Sequence, residues 1–191
     1  MVQSGRRIVL ASRSPRRKQL LAGAGYDVTI NAVDADESWP PGRFAAALHT
    51  ICHRKIEHAK PYELPTVAAD TVVVLGSKRF GKPADAAEAR AFLTTLSGRE
   101  HWVMTGFCVR LRDVEISSVV TTRVQFRDLT RLEIDQYVAT GDPFDKAGGY
   151  GIQGEGGALV ETIVGSYTNV VGLPVTEVRG AIEHLVMGGR K

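Results

Sequence analysis

Apolar residues recur along this chain in two rhythms, and together they predict its elements. Residues 7–12 (RIVLAS) are a short, nearly continuous apolar run of the kind found in buried strands. Ser14-Pro15 then predicts a helix start, with Ser14 as N-cap and Pro15 in the first helical position. Leu20, Leu21 and Ala24 give that helix an apolar side, and Gly25 ends it. Residues 26–33 alternate like a half-buried strand, and Pro40-Pro41-Gly42 breaks the pattern. From Phe44 to about Lys60, the positions of Phe44, Leu48, Ile51, Cys52, Ile56 and Ala59 follow helical spacing. Residues 66–75 (TVAADTVVVL) are rich in β-branched side chains, as a central strand requires, and Gly76-Ser77 ends them.

The second half continues both rhythms. Residues 85–96 read as an amphipathic helix, with Ala89, Phe92, Leu93 and Leu96 on one side. Residues 101–112 and 115–126 read as two strands of a hairpin turning near Arg112-Asp113. A short helix over 132–140, an irregular Gly-rich stretch over 142–157, a strand over 159–164 and a closing helix over 174–187 complete the chain. Strands alternating with helices, together with a hairpin, predict a mixed α/β sheet with flanking helices. The 191 residues suit one large domain or two small lobes sharing one core, taken here as a single domain over residues 1–191.

Composition changes little in this picture, but charge changes more. With 43% hydrophobic and 24% charged residues, the chain has an ordinary globular profile. It lacks the long apolar run that a membrane span needs, so no membrane partner is expected. Cys52 and Cys108, without CxxC spacing, point to a reducing compartment rather than a disulfide framework. The apolar stretch of residues 8–11 is too short for a signal-peptide core, and it leads into helix-like sequence unlike a transit peptide, so the cytoplasm is expected. The net charge of +3 is unevenly spread: Arg6, Arg7, Arg13, Arg16, Arg17 and Lys18 give residues 1–20 a charge of +6, and the remainder sums to −3.

That basic knot sits at a strand-to-helix junction, where a helix N-terminus attracts anions. Arg16 and Arg17 oppose the helix dipole there unless an anion such as phosphate docks; the alternative is a solvated basic turn paired with acids elsewhere. Asp70 lies within an otherwise apolar strand, so it must reach solvent, pair with a cation, bind a metal or cap the neighbouring loop. It is the best single candidate for a general base. Lys55 falls on the apolar stripe of its helix, where an ammonium ordinarily snorkels out to water. Lys82, between Gly81 and Pro83, approaches Asp70 only if its loop folds back. Asp34, Asp36 and Glu37 are spaced to share Mg²⁺, or form an ordinary polar loop. Two patterns are decoys. Gly149–Gly154 fits GxGxxG without a helix after it, and His49/His53 lack the glutamate of a zinc protease. A Walker A sequence is absent.

Six blocks occur in order: LASRSPRRKQLL (10–21), AADTVVVL (68–75), GKP (81–83), LSGREHWVMTG (96–106), DKAGGYGIQG (145–154) and GSYTNVVGLP (165–174). Together they resemble the Maf family of nucleotide pyrophosphatases over residues 7–186. The resemblance implies a mixed α/β fold with two lobes around a cleft, similar to that of the inosine triphosphate pyrophosphatases, often as a homodimer. It implies hydrolysis of nucleoside triphosphates to monophosphate and pyrophosphate with a divalent cation, Mg²⁺ or Mn²⁺, and a link to septum formation. Within it, Asp70 matches the proton acceptor, and Arg16, Thr71 and Gln153 match positions tied to substrate choice. Ser12, Arg17, Lys55 and Lys82 match polar residues near the phosphates, with Ser14 beside them as substrate-binding. Glu37 and Asp70 match the metal ligands. The AADT and DKAGGYGIQG blocks resemble the subgroup acting on dTTP and UTP rather than 7-methyl-GTP. Arg54 departs from the family, which commonly has Glu before the lysine, so any role of that acid passes to another. Three rivals stand beside this reading: a purine-directed pyrophosphatase, a nucleic-acid-binding module using the basic knot, and a non-catalytic septation partner. A stable nucleic-acid partner is not expected, because the basic charge is confined to one short segment.

Overall fold

Seven strands form one mixed sheet in the computed structural model, which describes residues 6–59 and 63–188. In chain order they are β1 (Arg7–Leu10), β2 (Asp27–Ile30), β3 (Thr66–Leu75), β4 (Lys78–Phe80), β5 (Glu100–Leu111), β6 (Val114–Phe126) and β7 (Val160–Val164). Their hydrogen-bonded order is β2-β1-β3-β5-β6-β7, with β4 on β3. β1 is parallel to both β2 and β3, whereas β4 is antiparallel to β3 and β7 to β6. The helices are α1 (Pro15–Gly23), α2 (Phe44–His58), α3 (Ala86–Leu96), α4 (Arg131–Ala139), α5 (Tyr167–Val171) and α6 (Val175–Gly188). The predicted mixed α/β sheet with flanking helices is what forms.

The described residues divide into two compact units. The first comprises residues 6–59, 63–70, 105–120 and 172–188, and the second residues 71–104 and 121–171. Strand alternation builds the first unit. Ile8 and Leu10 of β1, Val67 and Ala69 of β3, and Phe107 and Val109 of β5 share one face, under Leu21 of α1 and Val178, Ile182 and Leu185 of α6. The opposite parity carries Ala68 and Cys108, which pack with Ala11 and with Cys52 and Ile56 of α2. Gly106 lies in that second register of β5. A Cβ there would stand 2.8 Å from Leu48 Cβ and 3.2 Å from its backbone, so the missing side chain is what lets α2 approach the sheet. Arg110, four residues further along, donates from Nη2 to the Ile56 carbonyl at 2.5 Å and satisfies the end of the helix.

In the second unit, α3 contributes Ala89, Phe92, Leu93 and Leu96 and α4 contributes Ile134, Tyr137 and Val138 to one apolar cluster with Val73, Phe80, Val103, Val124 and Phe126. His101 is fully buried among aromatics, edge-to-face with Phe126 and Tyr150 at centroid distances of 4.8 and 5.5 Å. Burial lowers its pKa to about 4. The neutral ring has one donor and one acceptor. Since the Arg99 carbonyl near Nδ1 (3.4 Å) accepts only, Nε2 accepts from the Tyr150 hydroxyl at 2.7 Å.

The pattern misjudges the shortest elements. Alternation over 26–33 yields only the four residues of β2, three of them exposed, because β2 is an edge strand with a neighbour on one side. β4 and α5, three and five residues long, are too short to show a period. The 142–157 stretch is not wholly irregular: it contains the 3-10 turns Asp142–Asp145 and Ala147–Gly149 and enters a third, Gly154–Leu159. The predicted end of α2 near Lys60 lies outside the described residues, and the helix itself ends at His58.

Candidate functional site

The start of α1 is organised by its own serines. Ser14 has an extended backbone, and its Oγ accepts the Arg17 N–H at 3.5 Å, with Pro15 following in the first turn. Ser12 Oγ accepts from the Ser14 N–H at 3.2 Å and from Arg17 Nη1 at 3.1 Å. Arg17 Nε donates to the Gly172 carbonyl at 2.9 Å. The guanidinium predicted to lie in a basic turn is thus half-buried and pinned at two points. Burial lowers its pKa, the charge of Asp70 opposes that shift, and neighbouring Arg16 adds to it. The first turn of α1 contains no acid, so its positive end and both arginines remain an anion-attracting corner. Sequence reading missed Gly172. The signal is present in the GSYTNVVGLP block, where this glycine takes φ +128°.

Lys55 does not snorkel. It is 5% exposed, because its stem runs on the α2 face that carries Cys52 and Ile56. Its ammonium turns inward onto two carboxylates, Asp70 Oδ1 at 2.8 Å and Glu37 Oε1 at 3.0 Å. Asp70 is available to it because it shares parity with Ala68 on the α2 side of β3. Side-chain exposure rises from 6% at Lys55 through 24% at Asp70 to 61% at Glu37. The cation lies deepest and the acids lead from it toward water. Thiols back this arrangement: Cys52 and Cys108 are fully buried, and a hydrogen bond to Cys52, with burial second, pushes the Cys108 thiol far up.

The other predicted acids part company. Asp34 is exposed. Asp36 accepts from the Ser38 N–H and Oγ, both at 2.8 Å, and pairs with Arg54 Nη1 at 2.9 Å. The Ser38 hydroxyl, its backbone N–H and the Arg54 charge together hold the Asp36 carboxyl below its usual range. His53, one of the decoy pair, has Nε2 on Glu57 and Nδ1 on Glu115, each at 3.2 Å.

Of the predicted residues, Ser12, Ser14, Arg16, Arg17, Glu37, Lys55 and Asp70 belong to the first unit, and Thr71, Lys82 and Gln153 to the second. Thr71 follows Asp70 along β3 and is half-buried. Lys82 lines an open hollow of about 570 Å³ with Lys78, Arg79, Gly81, Glu88, Ala91 and Phe92, so three cations there face one acid. Gln153 is exposed, in extended backbone at the start of the third 3-10 turn. The Gly-rich segment before it is anchored by Tyr137, whose hydroxyl donates to Asp142 at 2.8 Å and accepts the Gly151 N–H at 3.1 Å. Lys146 Nζ adds bonds to Asp142 Oδ1 (2.8 Å) and Asp145 (2.7 Å). The GxGxxG decoy runs into this turn rather than into a long helix.

Among the described residues, no group of three or more His, Cys, Asp or Glu side chains is arranged to hold a metal. Glu37 and Asp70 meet on the Lys55 ammonium; two such hard oxygen donors suit Mg²⁺ or Mn²⁺ held jointly with phosphate and water, not an all-protein cage. No helix among the described residues is long and apolar enough to cross a membrane.

Known proteins match this chain over nearly its whole length. Residues 7–185 match the family described as Maf-like protein. A protein named dTTP/UTP pyrophosphatase from Anaeromyxobacter dehalogenans is 49% identical over 175 residues, 90% of each chain. Proteins of the same name from Myxococcus xanthus and Yersinia pestis are 46% and 41% identical; the matches cover 92% and 94% of this chain and 91% and 93% of theirs. The backbone also resembles that of the Staphylococcus aureus Ham1 protein, at 16% identity and a TM-score of 0.46, covering 97% of this chain and 100% of that one.

Proposed function

The chain belongs to the Maf-like protein family, and from that premise we propose that it is a nucleoside triphosphate pyrophosphatase that cleaves dTTP and UTP to the monophosphate and pyrophosphate. The observation that carries this reading is the convergence of Lys55, Asp70 and Glu37, with Arg17 pinned by Ser12 and Gly172 in the same unit. A triphosphate carries close to four negative charges, and fixed cations that need no reorganisation are the economical way to stabilise charge during its cleavage. Arg16, Arg17 and Lys55, all in the first unit, supply them.

Asp70 takes the proton of a water molecule whose oxygen attacks the α-phosphorus. The bond from that phosphorus to the bridging oxygen breaks, and its electron pair leaves with pyrophosphate. Lys55 holds Oδ1 of Asp70 and so fixes the carboxylate's direction. Glu37 and Asp70 would hold Mg²⁺ or Mn²⁺, which when bound supplies charge neutralisation at the phosphates. Ser12 and Ser14 act through the helix start they organise, by keeping Arg17 in place. Thr71 and Gln153 hydrogen-bond the pyrimidine edge, and a base that leaves such groups unpaired is rejected strongly. The two buried thiols suit a reducing cytoplasm, and the family resemblance favours a homodimer.

The test is pyrophosphate release from dTTP, UTP, CTP, GTP, ITP and 7-methyl-GTP, each with and without Mg²⁺. Release from dTTP and UTP foremost is expected, with loss on adding chelator. Asp70→Asn lowers the rate about 100-fold or more. Asp70→Asn acting at the wild-type rate overturns the base assignment, and preference for 7-methyl-GTP or ITP overturns the pyrimidine assignment.

A further inference from the structure

Arg54 and Lys55 are neighbours on α2, and both reach the segment between β2 and α2. Lys55 takes the Glu37 carboxylate, whereas Arg54 takes the backbone on either side of it. Arg54 Nη1 lies 3.4 Å from the Asp36 carbonyl, 3.1 Å from the Ser38 carbonyl, 3.4 Å from Ser38 Oγ and 2.9 Å from Asp36 Oδ2. Two N–H groups are therefore shared among four acceptors that bracket residue 37. The segment has no helix or strand of its own, and Glu37 is too exposed for packing to hold it. Something must fix its backbone if its carboxylate is to stay at 3.0 Å from Lys55.

Resting on the reading above, we propose that Arg54 is a positioning residue: by tying Asp36 and Ser38 to α2, it sets the backbone from which Glu37 reaches Lys55 and the phosphate-metal site. The tie is local. The Arg54 and Asp36 side chains are 30% and 60% exposed, and such surface pairs add little to global stability. Removing Arg54 thus leaves the fold intact and frees the segment. The neighbouring Trp39, whose ring lies 6.3 Å from Phe44 at 58°, reports that freedom directly.

Two measurements decide the matter. First, kcat/KM for dTTP is compared in wild type, Arg54→Ala, Arg54→Lys, Glu37→Gln and the Arg54→Ala/Glu37→Gln double variant. Because Arg54 acts through Glu37, Arg54→Ala costs about tenfold alone but less than about twofold once Glu37 is already Gln, and Arg54→Lys recovers part of the loss. Second, in a Trp102→Phe background, Trp39 emission shifts on Arg54→Ala while Tm stays within about 3 °C. Equal losses in both Glu37 backgrounds, or unchanged Trp39 emission, overturn the proposal. If wild type releases pyrophosphate from no triphosphate, the functional reading falls, and Trp39 emission alone decides whether Arg54 holds the segment.

Discussion

Replacing Lys55 by Met keeps the stem and its packing but removes the charge that two carboxylates share. At 2.8–3.0 Å and an effective dielectric near 20, each attraction is about 5–6 kcal/mol gross, and most of that offsets the cost of burying the ammonium. What remains depends on exposure. Removing one partner of a fully buried pair costs about 3–5 kcal/mol, and of a surface pair about 0–1 kcal/mol. Lys55 is buried, Asp70 is 24% exposed and Glu37 is 61% exposed, so the loss falls near 2 kcal/mol and comes mainly from Asp70. For a chain of this size that lowers Tm by about 4–8 °C. Asp70→Asn in the same molecule removes the unpaired charge, so the double variant regains about half of that loss. Pyrophosphate release meanwhile falls about 100-fold, at a temperature where the variant is folded. Thermal melts of the wild type, the two single variants and the double variant supply the cycle. Additive losses, or Lys55→Met active within about threefold of wild type, refute the reasoning.

Two further predictions concern the second unit. His101 has a folded pKa of about 4, below its unfolded value of 6.5, so between those pH values the unfolded chain binds a proton that the native ring refuses. Stability therefore falls as pH drops from about 6.5 to 4, by on the order of 3 kcal/mol, and denaturant melts of His101→Phe show a flatter profile in that window. Gly148→Ala places a Cβ at φ +75° and 2.8 Å from Val73 Cγ2; it costs about 1–3 kcal/mol and displaces the Gly-rich segment that carries Gln153, read as a lower Tm together with a higher KM for dTTP.

Much of this architecture was legible from residue order. The long strands and helices declared themselves because their apolar pattern runs over ten or more residues, nearly continuous in β3 and along one face in α2. Ser14-Pro15 marked the start of α1 through local chemistry that needs no partner elsewhere. Asp70 stood out because a carboxylate in an apolar strand demands an explanation. The extent of β2 was not legible, since alternation does not say whether a strand has one neighbour or two, and β4 and α5 are shorter than any period.

The sequence by itself determined which residue types are present and on which face of their own element each lies. It placed Lys55 on a buried stripe, Asp70 in a strand and three acids before a Pro-Pro break. Only the tertiary structure decided who meets whom. Snorkelling was the ordinary outcome for Lys55, and it was overridden because Asp70 and Glu37, 15 residues after it and 18 before it, arrive where the ammonium can be satisfied inside. Likewise the basic turn became a fixed cation only because the Gly172 carbonyl, 155 residues further on, comes within 2.9 Å of Arg17. Local pattern follows from backbone periodicity, whereas a pairing of charges depends on a distance that only the folded sheet sets.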